Sequence, residues 1–163
     1  MQISEHQVRR LVAELLEIGT IDQVQAKPLR YKVRLDEERV TDWIRQGIER
    51  AGGTRDWNPL DVGEQVLIAK PLGAAPVILC SLNRDQYPQP EENLEQFYRE
   101  FKDGSWIRYD RETHHLEADI KGTAKVTTEG YMQLHAKGDL FLRSDNTIWL
   151  DAQNIKAFEG GEP

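Results

Sequence analysis

From residue 122 onward the sequence divides into octads: GTAKVTTE (122–129), GYMQLHAK (130–137), GDLFLRSD (138–145), NTIWLDAQ (146–153) and NIKAFEGG (154–161). Each octad opens on a glycine or an asparagine, and these five turn positions are Gly122, Gly130, Gly138, Asn146 and Asn154. Glycine and asparagine tolerate a left-handed backbone, so one of them in every eight residues predicts a turn at a fixed interval. The chain between the turns is predicted to be strand.

Every second residue from Leu116 to Asn154 is apolar or small almost throughout. The large members of this series are Leu116, Ile120, Val126, Met132, Leu134, Leu140, Leu142, Ile148 and Leu150. The residues between them are mostly charged or polar, with Tyr131, Phe141 and Trp149 as the large exceptions. Alternation of this kind predicts one side facing a core and the other facing water.

The octads keep their phase through every predicted turn, which a hairpin meander does not, because meander turns vary in length. A fixed period indicates a stacked architecture. A single ribbon of octads has unpaired edges and an apolar face with nothing to cover it. We therefore predict that residues 122–163 form the shaft and tip of an intertwined, triple-stranded β-helix in a homotrimer. A single-chain sandwich or solenoid is the alternative, for which roughly forty residues are few.

The bulk composition bounds the remaining possibilities. Its 163 residues suit one domain with an appendage, or two small domains, and with 39% hydrophobic residues and a mean hydropathy of −0.65 the core per chain is modest. No apolar run approaches bilayer length, and no signal peptide is recognisable, which predicts synthesis and assembly in the cytoplasm. The net charge of −7 repels phosphate backbones, so no nucleic-acid partner is expected.

Residues 1–18 have the pattern of an amphipathic helix. Ser4 and Gln7 form a capping box, and Gly19 is placed to close the helix. The apolar stripe consists of Val8, Leu11, Val12, Leu15 and Leu16. This stripe packs either on its own domain or on a neighbouring subunit, and the sequence does not choose between them.

Residues 19–83 contain short strand patterns separated by turn signals. The predicted strands are Thr20–Ala26, Tyr31–Leu35, Thr41–Ile48, Val62–Ala69 and Val77–Leu82, with a turn at Lys27-Pro28. Five strands in so short a stretch predict a small mainly β barrel of the OB type. Cys80 lies in an apolar run and is predicted to be buried.

Residues 84–95 show no periodicity and predict an extended connector. Residues 96–121 predict a β-hairpin collar, with Asp103-Gly104 supplying a primed two-residue turn. Arg111-Glu112-Thr113 predicts a second turn, after which His114 begins the strand that leads into the octads.

These segments together resemble phage baseplate assembly protein V, the central spike of contractile phage tails and tail-like particles. The resemblance rests on Thr41–Trp43, the turn at Arg50–Gly52, Arg55, the segments 62–68 and 101–107, and the octads. Within the predicted barrel its motif residues are Trp43, Trp57, Val62, Gly63, Glu64 and Val66.

The resemblance implies a mechanical role without catalysis or a cofactor. In that family the OB barrel attaches to the baseplate hub, and sheath contraction drives the trimeric shaft through the host outer membrane. The location implied is the baseplate of a virion or tail-like particle.

The tip departs from the family pattern. Many members end in a His-x-His apex that holds an iron ion, and this sequence contains no His-x-His. His135, at an odd position, is expected to face solvent. We expect no metal at the tip, and Ile155 and Phe158 to dock a separate PAAR-like tip protein.

Enzyme signatures are weak. The sequence has no glycine-rich phosphate loop and no Gly-x-Ser-x-Gly. Glu91, Glu92 and Glu95 could in principle supply the paired carboxylates of a glycosidase, but they lie in the predicted connector. His114 and His115 would point to opposite faces of a strand, so one chain cannot aim both at one metal ion; three copies of His114 could still converge on a threefold axis.

Binding is the main alternative function. An OB barrel with Trp43, Trp57 and Tyr31 as stacking platforms would suit an oligosaccharide or a nucleic acid. A receptor-binding fibre is a third possibility, for which the expected globular head is not evident.

Overall fold

The computed structural model describes Ser4, Glu5, Val8, Arg9, Val12 and residues 15–157. The chain divides into two compact units, Met1–Asp119 and Ile120–Pro163. The strands of the first unit are β1 (Leu16–Ala26), β2 (Leu29–Arg34), β3 (Arg45–Gln46), β4 (Gln65–Ala69), β5 (Val77–Leu82), β6 (Gln96–Glu100), β7 (Trp106–Asp110) and β8 (His115–Asp119).

The first five strands form one strongly curved sheet in the order β2-β1-β4-β5-β3. Its pairs are antiparallel except for β3 and β5, which run parallel. The two ends of the sheet meet where Tyr31 and Ile44 exchange backbone hydrogen bonds of 3.0 and 2.9 Å. The sheet is therefore a nearly closed barrel, and the predicted OB-type architecture is confirmed.

The barrel core follows from alternation along the strands, which sends every second side chain inward. Each core side chain is at most 3% exposed, and the set comprises Ile21, Tyr31, Val33, Ile44, Val66, Ile68 and Ile78. Leu29, Leu35 and Leu60 pack against its rim. The core thus lies wholly within the barrel and is supplied by one chain.

The predicted N-terminal helix is wrong over its last residues. β1 begins at Leu16, which pairs with Ala69 of β4. Gly19 lies inside β1 and does not end a helix: a Cβ there would meet Val33 Cγ1 at 2.6 Å. Strand pairing therefore outweighs the helical pattern from Leu16 onward.

Four described residues before β1 have helical backbone, namely Glu5, Val8, Arg9 and Val12. The Val8 N–H donates to the Ser4 carbonyl at 3.1 Å. Leu15 is a bend, and the remaining positions of the predicted helix before it, including Leu11, lie outside the described residues. The packing of its apolar stripe stays a prediction.

Strand β5 has the predicted range, and the other four barrel strands differ from their predicted ranges. The predicted strand Thr41–Ile48 is reduced to Arg45–Gln46 and one isolated bridge at Ile44. β4 begins at Gln65, because Gly63 adopts a φ of 95° in the turn before it. Val62 is consequently exposed rather than part of a buried strand.

Cys80 is exposed, so its predicted burial is wrong. The ladder between β4 and β5 pairs Leu67 with Cys80 but Ile68 with Ile78, leaving Leu79 as an extra residue. A bulge of this kind reverses the side-chain alternation. Ile78 therefore points into the core, and Cys80 points out beside Leu67.

Strands β6, β7 and β8 form a second, antiparallel sheet, as the predicted collar requires. The turn type was predicted wrongly. Gly104 N–H donates to the Phe101 carbonyl at 2.9 Å, and Gly104 has a φ of 78°, while Asp103 is not left-handed. This is a three-residue loop that ends on a left-handed glycine rather than a two-residue primed turn.

His114 is the last residue of the second turn, with a φ of 56°, and does not begin a strand. Asp110 stabilises that turn, because its Oδ1 accepts from the N–H groups of Glu112 and Thr113 at 3.0 and 2.8 Å. β8 then starts at His115.

In the second unit the described residues, 120–157, contain bends but no helix or strand. The bends fall at residues 121–122, 129–130, 137–138, 145–146 and 153, which is the octad period. The bends do not use the left-handed backbone that glycine and asparagine tolerate, since Gly122, Gly130, Gly138, Asn146 and Asn154 are not among the described residues with positive φ.

Candidate functional site

The residues around Gly63 connect neighbouring parts of the barrel through hydrogen bonds. Gly63 N–H donates to the Ile21 carbonyl at 2.9 Å, and a Cβ on Gly63 would lie 3.1 Å from the Tyr87 hydroxyl. The Glu64 carboxylate accepts from Asp61 N–H at 2.5 Å and from Ser81 Oγ at 2.7 Å. Glu64 therefore ties the turn before β4 to β5, while Val66 belongs to the core. These motif residues are structural.

Trp57 is the most exposed aromatic side chain of the motif, at 68%. It lines a cavity of about 780 Å³ together with Arg55, Asp56, Leu79 and Arg99. The cavity is open and carries both signs of charge. This arrangement offers one aromatic face and several hydrogen-bonding groups to a polar ligand.

Trp43 and Tyr31, the other two predicted stacking platforms, are less exposed than Trp57. Trp43 is partly covered by Lys32, whose Nζ lies 5.2 Å from the ring centroid. Tyr31 is fully buried; its hydroxyl donates to Gln46 Oε1 at 2.7 Å and accepts from Leu60 N–H at 3.0 Å. Burial raises the pKa of Tyr31. The prediction that Tyr31 is a stacking platform for a ligand is wrong, because its ring is part of the buried core.

The carboxylates considered for glycoside hydrolysis do not have the environment of a general acid. Glu91 accepts hydrogen bonds from the N–H groups of Glu92 and Asn93 at 2.9 and 3.2 Å, which lower its pKa. A glycosidase acid needs a raised pKa. Glu95 lies 3.6 Å from Arg111 in an exposed ion pair.

The histidine pair occupies exposed positions at the start of β8. His115 Nε2 lies 3.8 Å from Glu117 Oε2, which also accepts from Arg108 at 2.6 Å. In the part of the chain that the structure describes, no group of three or more His, Cys, Asp or Glu side chains is placed to hold a metal ion. Over the same residues, no helix is long and apolar enough to cross a membrane.

The collar sheet has an apolar face that the sequence revealed only in part. Phe97, Tyr109 and Leu116 lie side by side across the three strands, and all three are exposed. Leu116 was recognised as a shaft residue from its parity. Phe97 and Tyr109 could have been found from the register of the strands, because Tyr109 is the cross-strand neighbour of Leu116 and Phe97 is that of Tyr109.

The large side chains of the predicted trimer core are exposed in the single chain. From Val126 to Leu150 the exposed fractions of its large apolar side chains range from 50 to 71%. All described residues from 121 to 157 are exposed. A Cβ added at Gly122, Gly130 or Gly138 would meet nothing within 4 Å. Within one chain, therefore, nothing covers this surface or requires glycine at these bends.

Of the two predicted tip residues, Ile155 is 63% exposed, and Phe158 lies outside the described residues. The tip interface and the absence of a metal there stay predictions. His135, predicted to face solvent, is exposed like its neighbours in the octads.

Comparison with known proteins adds two findings. Residues 17–82 match the family of the type VI secretion system and phage-baseplate injector OB domain. The chain is also 29% identical, over 126 residues, to a spike protein of Escherichia phage P2. That alignment covers 76% of this chain and 59% of the relative.

The matched range begins in β1 and ends with β5, so it coincides with the barrel that the strands build. The alignment to the spike protein is longer than the barrel and extends the similarity over most of the chain. Residues 17–82 are therefore similar to the injector OB domain of phage baseplates and type VI secretion systems, and the predicted resemblance to phage baseplate protein V is confirmed.

Proposed function

We propose that this protein is a structural subunit of the central spike of a contractile-tail baseplate and acts as a homotrimer. The observation that carries the proposal is the second unit. Its bends recur every eight residues, and the large apolar side chains at its even-numbered positions, 50 to 71% exposed between Val126 and Leu150, are not covered by any described part of the chain. Two further copies would supply that cover.

The free energy of assembly favours such a trimer. Burying one exposed valine, leucine, isoleucine or methionine side chain contributes roughly 1.5–3 kcal/mol. Seven such large side chains lie between Val126 and Leu150 in each chain, and three chains would bury all of them around one axis. Strands from neighbouring chains would also satisfy the backbone groups of residues 120–157, for which no strand ladder exists within the chain.

The proposed role is mechanical. A shaft whose strands are hydrogen-bonded between chains along its whole length resists bending and local unfolding. The OB domain attaches the trimer to the baseplate hub, and sheath contraction drives the shaft through the host outer membrane. Neither step needs a catalytic group. The family match and the similarity to a phage spike protein support this assignment.

The first experiment is the mass of the purified protein by light scattering. We expect about three times 18.8 kDa, with resistance to mild detergent. A monodisperse monomer at micromolar concentration would remove the basis of the spike proposal, because every step depends on the trimer.

A second experiment separates attachment from penetration. A chain truncated before Gly122 retains the OB domain and the collar and is expected to bind the baseplate hub in a pull-down assay. Particles assembled with it should fail to kill or infect. Retained killing would contradict the piercing role, and loss of hub binding would contradict attachment through the OB domain.

The proposed location is the baseplate of a virion or tail-like particle, assembled in the cytoplasm of the bacterial host. A separate PAAR-like tip protein is the proposed partner at the far end, with Ile155 as the described part of its docking surface. Elemental analysis of the isolated trimer tests whether its tip holds a metal ion. A reconstruction of the particle tests whether a separate protein lies at the tip.

Ligand binding by the barrel is a second candidate function, which the exposed Trp57 favours. Its cavity combines an aromatic face with Arg55, Asn58 and Arg99. That composition suits an oligosaccharide, whereas the net charge of −7 disfavours nucleic acid. Binding on a glycan array that is lost in Trp57→Ala would support ligand binding by the barrel. An array without signal would contradict this second function and would not affect the spike proposal.

A further inference from the structure

We propose that the outward side chains of the octads fix the register of the three chains. Two sets of residues carry this function: a column of alternating charges at the eighth octad position, and an aromatic pair at the fourth. The inference rests on the trimer proposed above and adds to it a reason why the chains align at one offset.

The offset follows from symmetry. If each bend carries a chain to the next face of a three-sided prism, three identical chains occupy three different faces at any height. On one face, the first octad of one chain is then followed by the second octad of its neighbour and the third octad of the remaining chain. Residue i of one chain therefore lies beside residue i+8 of another, at a strand spacing of about 4.8 Å.

The eighth octad position carries charges that alternate in sign. It is occupied by Lys121, Glu129, Lys137, Asp145 and Gln153. These residues coincide with the bends, and all of them are exposed. With residue i beside residue i+8, every neighbouring charged pair in this column is of opposite sign. Such cross-strand pairs are stabilising, and like charges directly opposite are destabilising.

Displacement of one chain by a single octad would bring like charges next to each other in this column. Residue i then lies beside its own counterpart or beside residue i+16. Glu129 would face Glu129 or Asp145, and Lys137 would face another Lys137. The apolar interior repeats every octad and penalises that displacement little, so the charges supply the discrimination that the interior lacks.

A neighbouring column agrees with this arrangement. Asp145 makes an exposed ion pair with Arg143 of its own chain at 3.3 Å, and both side chains are more than 85% accessible. An exposed pair of this kind contributes little and leaves both groups available. Arg143 occupies the sixth octad position and would lie beside Asp151 of the next chain. The columns in 121–157 place no two like-charged Lys, Arg, Asp or Glu residues next to each other on the outward face.

The aromatic pair accounts for an exception in the sequence pattern. Phe141 and Trp149 are large apolar side chains at outward positions, and they are 85 and 87% exposed in the single chain. Both occupy the fourth octad position, eight residues apart. In the proposed register they lie side by side on neighbouring chains, where aromatic cross-strand pairs are favourable. Displacement of one chain by one octad replaces this contact: Phe141 then lies beside Phe141 and Trp149 beside Trp149 at one interface, and at the other each lies beside a non-aromatic residue sixteen positions away, such as Gln133 beside Trp149.

Disulfide mapping tests the register directly. In a Cys80→Ser background, Thr127→Cys and His135→Cys place cysteines eight residues apart in the sixth column, which changes no charged or aromatic residue of the proposal. Mild oxidation should link all three chains covalently, seen as a trimer on a non-reducing gel. The matched control, Thr127→Cys with Gln133→Cys, separates the Cα atoms of neighbouring chains by about 8 Å, too far for a disulfide.

Charge reversal tests the discriminating residues. Lys137→Glu would lie between Glu129 and Asp145 and should lower the thermal midpoint of the trimer by about 5–10 °C at low salt. The difference should shrink in salt, since exposed charges are screened. Lys125→Glu makes the same charge change beside uncharged Gln133 and should shift the midpoint far less.

The outcomes separate this inference from the trimer itself. A wild-type monomer in solution would end the spike proposal. A trimer in which 127 and 135 fail to link, or link no better than the control pair, would overturn the register. Equal midpoints for Lys137→Glu and Lys125→Glu would overturn the role of the charges.

Discussion

The barrel and the octads both alternate apolar and polar residues, but their apolar side chains have opposite fates. In the barrel, Ile21, Val66 and Ile68 are at most 1% exposed. In the octads, Leu134 and Leu142, which occupy equivalent positions of an equally regular pattern, are more than 60% exposed. The number of apolar residues does not explain this difference, because both regions place large apolar side chains at alternate positions.

The two regions differ in where their strands find partners. The barrel sheet curves until Tyr31 of β2 meets Ile44, so the chain supplies the ladder and both sides of the core. An octad is followed by a bend in a constant phase, and the described chain from 120 to 157 does not return to pair with itself. One chain therefore supplies every contact of the barrel core, whereas in the proposed trimer it would supply only part of the contacts of the shaft.

The largest expected effect is at the shaft interior. Leu134→Asp would place three carboxylates around one axis, and each buried charge costs several kcal/mol unless it is neutralised. We expect loss of the trimer by light scattering while the barrel remains folded by circular dichroism. Gln133→Asp, on the outward side of the same octad, should leave the trimer intact. Equal loss of trimer in both variants would mean that the parity is assigned wrongly.

The barrel should respond to the complementary substitution. Ile68→Ala removes a fully buried side chain and should destabilise the barrel by about 2–5 kcal/mol. The mass of the assembled trimer should not change, because the cavity lies within one chain. Leu67→Ala, its outward neighbour on β4, serves as the control and should cost less. Dissociation of the trimer by Ile68→Ala would show that the two regions are not independent.

The sequence predicted the barrel well because its strands obey alternation and its turns carry the expected residues. It failed where a single residue interrupts the pattern. The extra residue Leu79 reverses the alternation in β5, which placed Cys80 on the wrong side. No rule of composition locates such a bulge, because it depends on the partner strand.

The candidate site shows the same limit. The octad period and its bends could be derived from the spacing of Gly and Asn, and the bends coincide with that spacing. The backbone conformation at the bends could not, since Gly122 and Asn146 are without positive φ. Tyr31 was mistaken for a ligand platform because an aromatic residue in a strand pattern does not reveal which side of the barrel it faces.

A smaller effect is expected at the turn before β4. Gly63 has a φ of 95°, and a Cβ there would lie 3.1 Å from the Tyr87 hydroxyl. Gly63→Ala should destabilise the barrel by about 1–3 kcal/mol, since a side chain is strained in that conformation. Gly52→Ala is the matched control, because a Cβ at Gly52 meets nothing within 4 Å. Denaturant unfolding of both variants checks the difference, which equal midpoints would contradict.

The smallest effect concerns the turn that leads from the collar towards the octads. The N–H of Thr113, followed by the Gln96 side chain, holds the pKa of Asp110 at about 2, below its ordinary value of 3.8. A carboxyl whose pKa is lower in the folded state stabilises it above the unfolded-state value, and the contribution disappears as the pH falls through the folded-state value. Asp110 should therefore stabilise the collar fully above about pH 4 and progressively less down to about pH 2.

Asp110→Asn removes the charge but keeps an acceptor oxygen for the Thr113 N–H. The variant should unfold at a lower temperature than the wild type at pH 7, and the two midpoints should converge between pH 4 and pH 2. All other titrating groups are common to both proteins, so the difference between the two pH profiles isolates this carboxylate. A difference that stays constant across that range would show that Asp110 acts through its shape rather than its charge.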